Sequence, residues 1–286
     1  MSRLLIVTAD DLGLTRGVNQ AIRQGYEDGL VTATSLLAVG RAFDDAAAIV
    51  GDLPGLELGA HLALVGEDPP LLSAREVPTL VDKSGSFPLS YRTVVLRGLA
   101  GRIDPDDVRR ELGAQLERVR GVGVPVTHVD THQHTHLWPA VGAVVADLAA
   151  DAGIAAVRLP ASHAHGPVAL GVRTLARRTA ARLRRAGLAT TADYAGLDEA
   201  GRMDTARFVG TLDRAARRDR ATLEINCHPA LADDPDLHRF SWDYRWADEL
   251  AMLVDPAARR AVDRAGYRLG GFTQLSRPGR AESEAA

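Results

Sequence analysis

The run His128-Val129-Asp130-Thr131-His132-Gln133-His134-Thr135-His136 puts an imidazole or a carboxylate at every second position. Alternate side chains of an extended chain share one face, so the run predicts a row of ligand-type groups turned the same way. Solvated loop histidines are individually common, but five alternating groups of this kind point to a divalent cation. Two imidazoles and one carboxylate, with the remaining positions left to water and substrate, form a catalytic arrangement for such an ion. Spacing alone does not choose which histidines bind. The pair Asp10-Asp11, followed by Gly13, offers one more ligand and a general base. Asp is also a favoured helix cap, which is the alternative role for either residue. His61 is a ligand or a core histidine. Cys227 beside His228 raises a thiol nucleophile with its base. Neighbours on a strand face opposite ways, however, so Cys227 reads as a small buried residue.

The elements that must position these groups follow from hydrophobic periodicity. Arg3 to Ala9 is almost continuously apolar and branched, as in a parallel strand buried on both faces, and it ends at the two aspartates. Val18, Ala21, Ile22 and Gly25 recur at helical spacing, and Thr32 to Ala38 is a second strand. A helical stretch from Ala42 to Val50 leads to a strand from Leu56 to Leu62, which carries His61. Residues 63 to 104, with Pro69, Pro70, Pro78 and Pro88, read as a long functional loop. Asp104 and Pro105 then open a helix, Val126 to Asp130 is a strand, Pro139 opens a helix, and Ile154 to Leu159 is a short strand. Val172 to Ala186 predicts a helix with six arginines around a narrow Val172, Leu175 and Leu183 stripe. A helix from Thr205 to Arg218, a strand from Thr222 to Cys227, two helical segments and a strand near Tyr267 to Phe272 complete the series.

Seven or eight strands alternating with helices predict one α/β barrel-like domain over residues 1–277, with residues 278–286 as a disordered tail. Functional groups of such folds gather where strands end. Asp10, Asp11, His61, Asp130, His132 and His228 all fall there. The length of 286 residues suits one barrel, which commonly takes roughly 250. A net charge of -3 gives no global bias toward nucleic acid. One cysteine cannot close an internal disulfide, and the first residues lack the pattern of a secretory signal, so a cytoplasmic enzyme is expected. Gly, Asp or Arg breaks every apolar run short of the roughly 20 residues a spanning helix needs, so no transmembrane segment is expected.

The segments TADDLGLTRGVNQAI, GAHLAL, THVDTHQHTH, VRLP and EINCHP, in that order, resemble the YdjC-like carbohydrate deacetylases. The resemblance runs from Leu4 to about Phe272. It implies a distorted, partly open (β/α) barrel related to polysaccharide deacetylases, in agreement with the strand count. It also implies a metal held by Asp11, His61 and His132, with Asp10 as the base and His228 as the acid. Leu12 stands where the family usually has Phe, and Asn226 where Met is frequent. Segment 163–205 resembles members associated with hopanoid or other lipid-linked sugars more than the chitobiose-specific ones. Magnesium is the metal the resemblance implies first, whereas two imidazoles suit zinc, manganese or cobalt better.

The activity so implied is removal of acetyl from an N-acetylglucosamine-type sugar, free, oligomeric or lipid-linked. His134, His136 and Arg158 would line the substrate site. Trp138 would stack on a sugar ring or pack in the core, and His128 and Asp130 would orient the ligands. A homodimer is a family expectation. Three other activities use similar groups: cleavage of an acetyl ester or non-sugar amide, phosphoester hydrolysis, and metal-dependent sugar binding without turnover. No glycine-rich phosphate cradle or second carboxylate set supports the phosphoesterase, and binding alone has no use for the proton carriers Asp10 and His228.

Overall fold

The computed structural model describes residues 3–276. Among the described residues, eight strands alternate with nine helices. The chain runs β1 (Arg3–Leu12), α1 (Arg16–Glu27), β2 (Ala33–Leu37), α2 (Phe43–Val50), β3 (Glu57–Leu62), α3 (Tyr91–Leu99), α4 (Pro105–Arg120), β4 (Val126–Thr131) and α5 (Pro139–Asp151). It continues with β5 (Ala156–Val157), α6 (Pro167–Arg185), β6 (Asp193–Ala195), α7 (Thr205–Arg218), β7 (Thr222–Cys227), α8 (Trp246–Val254), α9 (Pro256–Arg264) and β8 (Tyr267–Leu269). The strand signals hold because their apolar runs are the core: Leu5, Val7, Leu36, Leu58, Val129 and Ile225 are all buried. Side-chain caps fix several helix starts, including Thr15 on the Val18 N–H and Asp104 on the Asp106 N–H.

Every pairing in the sheet is parallel, in the order β5-β4-β3-β2-β1-β7-β6. β8 pairs with Arg3 to Leu5 of β1, and β2 pairs with β1 from Thr8 onward, so the two divide one edge of the central strand. The sheet is curled. In a flat sheet β5 would lie five strand spacings from β7, roughly 24 Å at about 4.8 Å each. Yet Arg158, the residue after β5, touches Glu224 of β7 at 2.7 Å and Asp10 of β1 at 2.7 Å. A bridge between Ala156 and Ala189 draws the two ends of the sheet together just below that point. The result is a curled, partly open form of the barrel-like domain that the alternation of strands and helices predicts, as the family resemblance implies.

Three local expectations are corrected. Residues 63–104 are not loop throughout, because Ser90 caps α3 on the Arg92 N–H. Only Val94 of α3 is buried, so its sequence carries no core stripe to announce it. The histidine run does not stay extended. β4 ends at Thr131, and residues His132–Leu137 form a 3-10 turn in which Gln133 and His134 have φ of 51° and 54°. His132, His134 and His136 therefore point in different directions instead of sharing a face. On α6, Ala169, Val172 and Leu175 face a cleft, and the buried side farther along the helix is Ala176, Thr179 and Leu183. The expected tail at 278–286 lies outside the described residues. No described helix is long and apolar enough to cross a membrane.

Candidate metal centre and catalytic cleft

Asp10 and Asp11 lie within the last residues of β1, where Ala9 pairs with Thr34 but Leu12 with Leu36. One extra residue is thus inserted in β1, a β-bulge, and Asp11 takes a φ of 66° there. That conformation costs an L-residue roughly 1 kcal/mol or more. It breaks the alternation of the strand, so two consecutive carboxylates reach one site, each to a different set of partners. Gly13 completes the turn with φ of 94°, a conformation that side chains disfavour.

Asp11 Oδ1 lies 3.0 Å from His132 Nδ1 and 3.3 Å from His61 Nε2, and the two ring nitrogens lie 3.3 Å apart. Ligand atoms about 2.1 Å from a common centre at tetrahedral or octahedral angles are separated by roughly 3.0–3.4 Å. The trio fits a cation by that measure. It also fits chemically: all three residues are buried, and neither carboxylate oxygen of Asp11 has a hydrogen-bond partner. Burial opposes the charge on Asp11, yet His132 and His61 hold its carboxyl well below the usual range. His61 donates its Nδ1–H to Asp130 Oδ1 at 2.8 Å, leaving Nε2 to face Asp11. A carboxylate behind a ligand imidazole fixes tautomer and orientation in this way. Burial works against a proton on His61, but Asp130 and Asp11 overcome it and push its pKa up to about 10. A cation in the trio would take the place of that proton.

Beneath the trio lies a buried charge cluster. Arg158 donates to both oxygens of Asp10 at 2.7 Å and to Glu224 at 2.7 Å, and it forms an ion pair with Asp130 at 2.5 Å. Asn226 donates to Asp10 Oδ2 at 3.0 Å and accepts from the Tyr194 hydroxyl at 2.6 Å. Asp10 therefore stands in a fixed orientation with His228 Nε2 4.0 Å from its Oδ2. His228 follows β7, and Glu249 of α8 accepts from its backbone N–H and lies 3.9 Å from its Nδ1. Burial raises the Glu249 pKa, with the His228 charge and backbone N–H bonds pulling the other way.

The cleft above these groups has a volume of about 850 Å³, enough for a ligand of a few sugar rings. Asp10, Asp11, His61, His132, His134, Trp138 and His228 line it. Two expected lining residues do not. Arg158 is fully buried, because its guanidinium is consumed by three carboxylates. His136 is turned inward, donating from Nε2 to the Arg158 carbonyl at 3.0 Å and accepting from Thr131 Oγ1 at 2.7 Å. His128 is buried against Phe272 at a ring spacing of 3.8 Å, and reaches Asp130 only through Ser35. Cys227 is buried, and its thiol points to the Thr8 carbonyl at 3.5 Å.

Several residues at the site are unheralded in the motifs. Phe240, Trp242, Tyr244 and Trp246 occupy alternate positions and form one aromatic wall, with Trp242 5.2 Å from His132 and Tyr244 5.1 Å from His228. Their spacing in the sequence was the available signal. Glu224 and Asn226 stand inside the EINCHP segment, but no role was read for either; their place on one face of a largely apolar strand was the signal.

The curled parallel sheet and the buried carboxylate and imidazole trio at its strand ends define an α/β half-barrel protein with a candidate metal centre. The YdjC-like protein family matches residues 4–264, and the chain belongs to that family. It is 31% identical over 276 residues to proteins of Salmonella dublin and Salmonella typhimurium named chitooligosaccharide deacetylase, spanning 96% of this chain and 100% of theirs. A crystal structure from Enterococcus faecalis, whose description proposes cleavage of cellobiose-phosphate, superposes with a TM-score of 0.78 at 24% identity. That match covers 96% of this chain and 98% of the other, and it shows the shared fold.

Proposed function

We propose that this protein is a metal-dependent deacetylase that hydrolyses the acetamide of an N-acetylglucosamine-type sugar, releasing acetate. The observation that carries the proposal is the Asp11 carboxylate, buried without a hydrogen-bond partner and clustered with His61 and His132 on the floor of a cleft, with Asp10 and His228 beside it. The kinship with proteins named chitooligosaccharide deacetylase supports the substrate class. Asp11, His61 and His132 are the residues that would hold a divalent cation, which when bound polarises a carbonyl and makes water more acidic.

Asp10 receives the proton of the attacking water. Its two oxygens are oriented by Arg158 and Asn226, so it meets the water in one geometry only. His228 delivers a proton to the nitrogen as the C–N bond breaks, because an unprotonated amine is a very poor leaving group. Glu249 anchors the backbone N–H of His228 and faces its ring. Trp242 and Tyr244 supply apolar faces for sugar rings, and Trp138 a further one on the other side of the histidine turn. Magnesium remains the family's implied ion, while one carboxylate and two imidazoles favour zinc, manganese or cobalt by softness.

The test is acetate release from N-acetylglucosamine compounds, free, oligomeric and lipid-linked, with and without chelator and with single ions restored. Release lost on chelation and regained with one ion is expected, and H132A should lose both bound metal and turnover. Full activity of H132A sinks the ligand assignment. Stoichiometric metal without release from any amide sinks the reaction.

A further inference from the structure

The cleft opens between α3 and α6, which supply Tyr91, Val94 and Val95 on one side and Val168, Val172 and Leu175 on the other. Both helices pack on the histidine turn at residues 132–137. The large apolar side chains most exposed among the described residues are Leu89, Tyr91, Leu96, Leu99, Val168 and Leu170, with exposures from 40% to 72%. All six belong to these two helices or their flanks. The same segments, 89–102 and 167–185, carry nine arginines and no Asp or Glu, in a chain whose net charge is -3. Among the described residues none of Arg177, Arg178, Arg182, Arg184 and Arg185 has a carboxylate partner within 4.0 Å, whereas many of the other arginines do.

Charge and apolar groups share stripes. On α3, Arg92, Leu96 and Leu99 fall at i, i+4 and i+7, and on α6, Leu170, Arg177 and Arg184 recur every seventh position. A nucleic acid would have no use for exposed leucines. An acidic protein would complement the arginines, but it would leave unused the exposed apolar side chains that two helices carry on either side of the opening. Arginines interleaved with isolated leucines, valines and a tyrosine match the boundary of an anionic bilayer, where the cation meets phosphate and the apolar tip enters the acyl region.

We propose that the α3 and α6 rim docks on an anionic lipid surface, with the mouth of the cleft turned toward it. The proposal does not depend on the reaction assigned to the cleft. Docking presents the active centre to whatever acetylated molecule resides in that surface.

The test is sedimentation of the full chain with vesicles of phosphatidylcholine alone and with phosphatidylglycerol added. Binding at least tenfold stronger to the anionic vesicles is expected, falling as salt is raised. Each arginine near such a surface contributes roughly a fivefold factor, so R177Q/R184Q should weaken partitioning roughly 25-fold. L96D/L99D should abolish it. Both variants lie outside the cleft lining, and unchanged circular dichroism and metal content verify that they fold. Absence of sedimentation with anionic vesicles overturns the proposal, as does binding untouched by R177Q/R184Q. A wild-type dimer that L96D/L99D converts to monomer also overturns it, because a second copy would then cover the rim.

Discussion

Replacing Arg158 by Met is the sharpest probe of the architecture, because one guanidinium neutralises carboxylates from three strands. Its Nε serves Glu224, one terminal nitrogen serves Asp10 and Asp130, and the other serves Asp10 again, at 2.5–2.7 Å, with all four side chains almost wholly buried. Removing one partner of a buried ion pair costs about 3–5 kcal/mol, mostly the penalty of the charge left behind. Here three carboxylates lose their only shared cation, so R158M should lie at the upper end, about 5 kcal/mol. Against a total stability of about 5–15 kcal/mol, the variant keeps at best two-thirds of its margin. Urea denaturation at pH 8, followed by circular dichroism, should show the midpoint falling with little change in slope. R158K keeps the charge but cannot fork onto Asp10, and should recover only part of the loss. In a double-mutant cycle, R158M/E224Q should be less damaged than R158M alone, since one stranded charge is gone. A loss below about 1 kcal/mol in R158M, with the slope unchanged, would refute the argument that this guanidinium holds the barrel interior together.

Other outcomes follow from single contacts. D130N removes the charge behind His61 and should weaken metal binding roughly 10- to 100-fold in titration by calorimetry, with the fold intact. E224Q tests a pH effect: burial raises the Glu224 pKa to about 7, with Arg158 opposing and Asp10 adding. A raised carboxyl pKa gives stability that is fully present below about 4.5 and is lost as pH climbs through about 7, a change of order 3 kcal/mol. Gln imitates the protonated acid, so E224Q should flatten that decline in melts run from pH 4.5 to 8; an unchanged profile places the titration elsewhere. At Gly59 a Cβ would stand 2.2 Å from His128 Nε2, and Phe272 stacks on that ring. G59A should therefore lose about 1–3 kcal/mol or more in thermal melts, and G59A/H128A should regain most of it. Equal losses in the single and double variants would show that the ring was free to move.

What was legible in the sequence divides along a physical line. Strands buried on both faces write themselves as apolar runs, so β1, β2, β3, β4 and β7 were readable to within a few residues, and all of them but β2 deliver a polar group to the cleft at or just past their ends. α3 was not readable, because it buries one residue and spends its other apolar side chains on the cleft and on solvent. The β-bulge at Asp11 and the left-handed residues Gln133 and His134 were equally silent, since nothing in DD or HQH states a φ. The roles expected of Arg158 and His136 changed for a different reason. Both follow strands whose ends face the cleft, and position alone would put them on its surface. Only closure of the sheet, which brings Asp10, Asp130 and Glu224 from three strands to one point, makes a buried cation necessary there, and Arg158 is the residue that satisfies it. His136 is drawn in by the same closure, its ring held on the Arg158 carbonyl. The sequence motifs could therefore nominate the groups that face the cleft, while the pairings that make the buried carboxylates tolerable join Arg158 to residues 28, 66 and 148 positions away. Asn226 shows the same long-range dependence: its amide donates to Asp10, 216 positions away, and accepts from the Tyr194 hydroxyl.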